Sequence, residues 1–267
     1  MGEVRELELL VLVKSYPLPS QSLGEAVCVI GLSKELGFVR IYPVPFRRLE
    51  DDKQFRKYEV IRLRVKEPRN DPRPNTFRPE LDSIEVIESK LSSADKWRAR
   101  KDWIIPFRSD SMCGIQQERD RSNVSMGFFR PQEVLDITQE EADPNWSPRD
   151  LAKLSQEDLF MTREKKLLEK IPYNWKYKYK CEAPGCGGHT QTIIDWEINA
   201  FYLKNIKGQG ITDPAEVHDM IKEKFLVELC GSDKDTHFFT GNMLKHPSTF
   251  LILGVFWPPI ERQMTLI

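Results

Sequence analysis

Over the first ninety residues, apolar positions fall in short blocks divided by prolines, glycines and charges. Residues 6–13 (Glu-Leu-Glu-Leu-Leu-Val-Leu-Val) predict a buried strand that stops at Tyr16-Pro17 and Pro19. Residues 25–32 predict a second. Phe38-Val-Arg-Ile-Tyr42 predicts a third, closed by Pro43 and Pro45, and the glycine-bearing link between these two is of hairpin size. Tyr58–Val65 alternates apolar and charged residues at period two, as a half-exposed strand does, and Ser83–Ile87 gives a shorter fifth strand. Five short strands with tight links predict a small barrel or curled sheet. Residues 66–80 hold four prolines and read as a long loop of the kind that carries binding.

Beyond residue 90 the pattern changes. A short helix is expected over 92–103, carrying Trp97 and Trp103. Residues 106–130 lack periodicity and read as a loop centred on Ser122–Gly127. The acidic, proline-interrupted stretch Asp136–Pro148 is the expected domain boundary. Ser147 caps a helix starting at Pro148, and a second helix is expected from Ser155 to about Lys170, ended by Pro172. Tyr173–Cys181 alternates aromatic residues with lysines. Thr192–Ile198 reads as a strand, Asp213 caps a helix, and Thr236–Thr240 and Thr249–Phe256 read as a strand pair. The expected fold class is α+β. It comprises a β-rich, OB-like small-barrel domain over 1–130, a helical connector over 131–172, and a mixed α/β domain over 173–267.

Composition narrows the setting. The 267 residues are 30% charged and contain no apolar run long enough for a membrane helix. The N-terminal residues lack the pattern of a signal peptide. Five cysteines suit neither the density nor the parity of a disulfide scaffold, so a reducing cytoplasm is expected. The net charge of -1 hides asymmetry: Arg40–Arg121 holds 20 Lys and Arg against 15 Asp and Glu.

The sharpest chemical signal is Cys181-Glu-Ala-Pro-Gly-Cys186-Gly-Gly-His189. Thiolate and imidazole are the preferred ligands of zinc, and the glycines allow a tight turn around an ion. Only three ligands are local. Cys230, His237, His246 and Asp195 are candidates for the fourth, with His237 preferred because it begins a strand; the plainer alternative is two free thiols and a turn histidine. Asp195 and Glu197, if both lie on one strand, share a face and could hold a divalent cation for phosphodiester chemistry. The nearest downstream lysine, Lys204, stands outside the usual Glu-x-Lys spacing, which favours acids that merely face solvent or pair with arginines.

For nucleic acid the candidates are Arg40, Arg47, Arg48, Arg62, Arg64, Arg69, Arg73 and Arg78, whose forked donors match phosphate and base edges. Lys176 and Lys178 join them if the intervening tyrosines face outward to stack bases. The interleaved acids weaken the field of this set.

The segment Glu25-Ala-Val-Cys-Val-Ile-Gly31, with Phe38-Val-Arg-Ile-Tyr-Pro43-Val-Pro-Phe-Arg47, resembles the opening of dual-OB domains in uncharacterised prokaryotic proteins. The resemblance spans roughly residues 6–90 and implies nucleic-acid sensing or binding in prokaryotic conflict and antiviral defence systems. The resulting expectation is a non-enzymatic nucleic-acid-binding component with a structural zinc site and room for a protein partner. The alternative is a metal-dependent nuclease using Asp195, Glu197 and Lys204.

Overall fold

A computed structural model describes residues 3–155 and 166–261. The helix expected from Ser155 to about Lys170 falls largely outside them. In chain order the strands and α-helices are β1 (Arg5–Lys14), β2 (Leu18–Ser20), β3 (Gly24–Ser33), β4 (Gly37–Val44), β5 (Val60–Lys66), β6 (Thr76–Pro79), β7 (Glu85–Glu88), α1 (Ala94–Ile104) and α2 (Met112–Ser122). The second half adds β8 (Met126–Phe129), β9 (Pro131–Glu141), α3 (Pro148–Leu154), β10 (Tyr173–Cys181), β11 (His189–Thr192), α4 (Trp196–Phe201), α5 (Pro214–Lys222), β12 (His237–Asn242) and β13 (Phe250–Phe256).

The fold is α+β, and its N-terminal part is a closed five-stranded barrel. The strands run β1-β3-β4-β6-β5, and β5 returns to pair with β1; β4 and β6 are parallel and the other neighbours antiparallel. This is the closed, OB-like architecture. Leu7, Leu9 and Val11 of β1, Val27 and Val29 of β3, and Leu63 and Val65 of β5 fill the interior. Closure leaves only short free edges.

The fifth barrel strand is β6, inside the stretch expected to be loop, whereas β7 pairs on the outer side of β5. Phe77 explains the difference. It is buried in the barrel and brings Thr76 and Phe77 alongside Arg40 and Ile41. A strand this short tolerates Pro79 at its end.

The outer face of β1 and β3 is not wet. Leu10, Leu12, Ile30 and Leu32 form a second core with Trp97, Met126, Phe128, Phe239, Leu253 and Phe256. Both faces are covered, which is why these strands read as continuous apolar runs instead of alternating ones. Strand β5 keeps its alternation because Arg62 and Arg64 remain at the surface.

Two three-stranded antiparallel sheets, β9-β10-β11 and β8-β12-β13, build the C-terminal part. Residues 106–130, expected to be a loop, contain α2 and β8. Ser111 Oγ accepts the Gly114 N–H at 3.0 Å, and Asn123 closes the helix at φ 59°. Strand β9 occupies residues expected in a helical connector and pairs along β10 from Tyr173 opposite Glu141 to Cys181 opposite Pro131. The expected division at 130/131 therefore falls between two strands of the C-terminal part. The α3 helix starts at Pro148, with Ser147 as its cap.

The barrel and the C-terminal part are stitched together. Tyr16 N–H donates to Ile194 O at 3.0 Å, and Ile194 N–H donates to Ile252 O at 2.9 Å. Gly254 of β13 lies so close to β1 that a Cβ there would stand 2.1 Å from Val13 Cγ1.

Candidate metal centre and surrounding charge

Strand β10 sends Trp175, Tyr177, Tyr179 and Cys181 to its buried face and Lys178 and Lys180 to solvent. Cys181 ends the strand fully buried. The chain then turns through Gly185 (φ 72°) and Gly188 (φ 96°), where a left-handed backbone suits glycine, and returns as β11 with His189 first. Tyr179 stacks on the His189 ring with centroids 5.1 Å apart, which fixes the plane of the imidazole.

The fourth member comes from the first turn of α2. Cys113 Sγ lies 3.6 Å from Cys181 Sγ and 3.5 Å from His189 Nε2. Cys181 and Cys186 sulfurs are 3.5 Å apart, and each is 3.4 Å from His189 Nε2. All four ligand atoms lie within 4.8 Å of one another. A zinc tetrahedron with bonds of roughly 2.3 Å to sulfur and 2.0–2.1 Å to nitrogen has S–S edges of about 3.8 Å and S–N edges of about 3.6 Å. Five of the six edges, at 3.4–3.6 Å, are near these lengths, so the four side chains could hold a metal ion. The cysteines are free, and sulfurs 3.5 Å apart are well outside disulfide bonding distance.

The surroundings act in opposite directions on two of the thiols. Gly188 N–H points at Cys186 Sγ from 3.4 Å. Burial works to raise the Cys186 thiol, but the N–H donors of Cys181 and Gly188 together with hydrogen bonds from the Cys181 and Cys113 side chains turn its net direction down. For Cys113, burial together with the neighbouring sulfurs pushes the thiol up to about 12. Burial lowers His189, keeping the imidazole neutral and able to ligate. Three sulfurs and one imidazole would supply four ligands to a metal ion, a number that suits a closed tetrahedral site.

His237, preferred from sequence as the fourth ligand, lies elsewhere. It is 1% exposed, stacks on Phe128 with centroids 4.9 Å apart, and its Nδ1 bonds to Asp235 O at 2.9 Å. It begins strand β12, whose first residues pack in the core; β12 carries it away from the turn. Cys113 was missed because α2 looked like loop. The signal that could have found it is the cap Ser111-Met-Cys113-Gly114, which places a cysteine at a helix start.

Asp195 and Glu197 do not share a strand face. Strand β11 ends at Thr192, and Asp195 is the cap of α4, its Oδ1 accepting the Glu197 N–H at 3.0 Å. Asp195 is buried; Glu197 pairs with Lys57 at 2.7 Å. Burial, with Glu197 adding to it, pushes the Asp195 carboxyl up to about 7 in spite of Lys57. Lys204 is exposed two turns along and makes no ion pair with either acid among the described residues. These acids cap and anchor a helix instead of opening on a cation site.

Most of the sequence-selected arginines are committed. Arg40 is 2% exposed and donates to Thr76 Oγ1, Ser125 Oγ and Ser125 O, each at 3.1 Å. It joins the barrel to the C-terminal part and cannot reach phosphate. Arg47 pairs with Glu25 at 2.9 Å, Arg62 with Glu8 at 2.7 Å, Arg64 with Glu80 at 2.7 Å and Arg73 with Asp71 at 2.6 Å. Lys176 pairs with Glu140 at 2.6 Å. Arg48 is half-buried against Gly24. Arg69, Arg78, Lys178 and Lys180 are exposed and form no ion pair among the described residues. Tyr177 and Tyr179 face the core, so they cannot stack bases.

The metal-type residues Cys113, Cys181, Cys186 and His189 all lie within one matched segment. The family model described as "Domain of unknown function (DUF8757)" covers residues 108–267. The chain belongs to that family. A second model, "Domain of unknown function (DUF8758)", matches residues 5–106, the span of the barrel with β7 and α1. The seam between the DUF8757 and DUF8758 matches falls just before α2, which keeps Cys113 with its three partners. No curated protein matches the chain. Among the described residues no helix is long and apolar enough to cross a membrane.

Proposed function

We propose that this protein is a non-enzymatic nucleic-acid-binding component whose DUF8757 part is held by a structural zinc ion. Cys113, Cys181, Cys186 and His189 would hold the ion, which supplies cross-linking between α2, the glycine turn and β11 and no reactive position. The observation that carries the binding reading is a pair of exposed basic patches: Arg69 and Arg78 at the β5–β6 end of the barrel form no ion pair among the described residues, and neither do Lys178 and Lys180 on the outer face of β10. The OB-like barrel supports it, since such barrels present a strand face and loops to oligonucleotides. A place in prokaryotic defence rests on the sequence resemblance alone.

The test is a gel-shift titration of single- and double-stranded probes at increasing salt. Counterion release makes phosphate binding fall steeply with salt. Arg69→Glu with Arg78→Glu is expected to weaken binding and flatten that slope. Absence of any shift at low salt removes the reading.

A further inference from the structure

Most of the outer face of β3 and β4 is covered by the C-terminal part, but one end is not. There Ala26, Cys28 and Tyr42 floor a cleft of about 490 Å³, walled on the far side by the junction of β10 and β11. We propose that this cleft is a binding pocket for a single nucleobase. The inference rests on the nucleic-acid reading above and names the contact that would give it base selectivity.

Size and exposure are the first argument. A volume of this order falls in the range of small-ligand sites, and a base with its ribose fits within it. Leu18, Tyr42 and Met243 line the cleft and are 62%, 43% and 38% exposed. Large apolar side chains gathered in one concavity mark a site more often than scattered ones do.

The chemistry of the walls selects the class of ligand. The polar ends of three aromatic walls are already used: Tyr16 OH donates to Glu169 O at 2.8 Å, Trp146 Nε1 to Leu168 O at 2.8 Å and Trp175 Nε1 to Gln139 Oε1 at 2.9 Å. What these side chains offer the cleft is ring surface. By contrast the Tyr42 hydroxyl and the side chains of Asn174 and Thr192 have no hydrogen-bond partner among the described residues, and all three line the cleft. Ring faces with uncommitted donors and acceptors match a flat heterocycle with a polar edge, and suit an aliphatic chain poorly.

Charge points the same way. No carboxylate lines the cleft, whereas Lys170 stands at its rim with Nζ on Asn145 O at 2.7 Å and no acidic partner among the described residues. An anionic ligand, such as a base carrying its phosphate, meets no repulsion there.

The base could belong to a strand or to a free nucleotide, and one experiment separates them. The full chain is titrated with a fluorescent oligothymidylate 12-mer by anisotropy, and with thymidine and adenosine monophosphates by calorimetry. Tyr42→Ala is expected to weaken binding about 5- to 150-fold, the range of one lost base stack, and Tyr42→Phe to retain most of it. Leu18→Glu, at a position exposed enough to leave folding intact, adds a carboxylate at the mouth and is expected to weaken binding similarly. Loss in both variants with competition by mononucleotide supports the pocket and the strand as its source. Mononucleotide binding that depends on Tyr42, with no strand binding, supports the pocket and removes the nucleic-acid reading. Strand binding unchanged in Tyr42→Ala and Leu18→Glu overturns the pocket and leaves that reading standing. No binding of either probe overturns both.

Discussion

Cys113 and Cys181 are 68 residues apart in sequence, yet their sulfurs lie 3.6 Å apart, one on the first turn of α2 and the other at the end of β10. Two uncharged thiols have little reason to be held so close beside a third sulfur and an imidazole. A shared cation would give that reason. Purified protein is expected to carry stoichiometric zinc, and Cys113→Ser to lose it as fully as Cys181→Ser. His237→Ala is expected to keep it. Metal analysis by plasma emission checks this; full zinc in Cys113→Ser counts against the assignment. Chelation should unfold the C-terminal part first, because binding energy in such sites is folding energy.

Asp195 provides a pH signature. Its carboxyl titrates near 7 in the folded chain against about 3.9 when unfolded, so between these values the folded state holds the extra proton. Stability is therefore expected to fall as pH rises from about 4 to about 7 and to level above that, with a loss on the order of 4 kcal/mol at most. Asp195→Asn keeps a good cap and removes the titration, so its denaturation midpoint should vary less over this window. Parallel curves for the two proteins would contradict the assignment.

Arg40 is structural, and its removal should show that. Arg40→Ala leaves Ser125 and Thr76 short of a buried donor and is expected to cost about 3 kcal/mol in urea denaturation. Where the variant is still folded, any nucleic-acid affinity found for the parent should be retained. A selective loss of affinity would place Arg40 in a binding surface after all.

Gly254 tests the contact between β13 and β1. Adding a methyl group 2.1 Å from Val13 Cγ1 forces strands apart, so Gly254→Ala is expected to cost about 2 kcal/mol. Val13→Ala in the same chain should recover part of it, giving a non-additive double-mutant cycle.

The barrel was largely legible because short apolar blocks such as residues 6–13 are punctuated by prolines and glycines. β6 was not, since Pro79 and the proline-rich approach from residue 66 look like loop until Phe77 finds the interior. The turn at 181–189 was legible as ligand chemistry, because cysteine, histidine and glycine at short spacing leave a local trace. The fourth ligand was hidden by tertiary contact: nothing near Cys113 in sequence records that β10 will arrive beside it. Asp195 misled for a related reason. An apolar run before an acidic residue suits a strand, but here the carboxylate accepts the Glu197 N–H and turns the chain into a helix.

The second core has a consequence for how the chain can be inherited and handled. Leu10, Leu12, Ile30 and Leu32 face Phe128, Phe239 and Phe256 across the seam between the two family matches. A gene fragment ending at that seam would encode a barrel with a wide greasy flank, and its complement would emerge with the matching one. Either piece alone would invite clumping or proteolysis in the cell. Recombination that shuffles only one half is thereby penalised, and a laboratory that clones the halves separately should expect to recover soluble material only by coexpressing them.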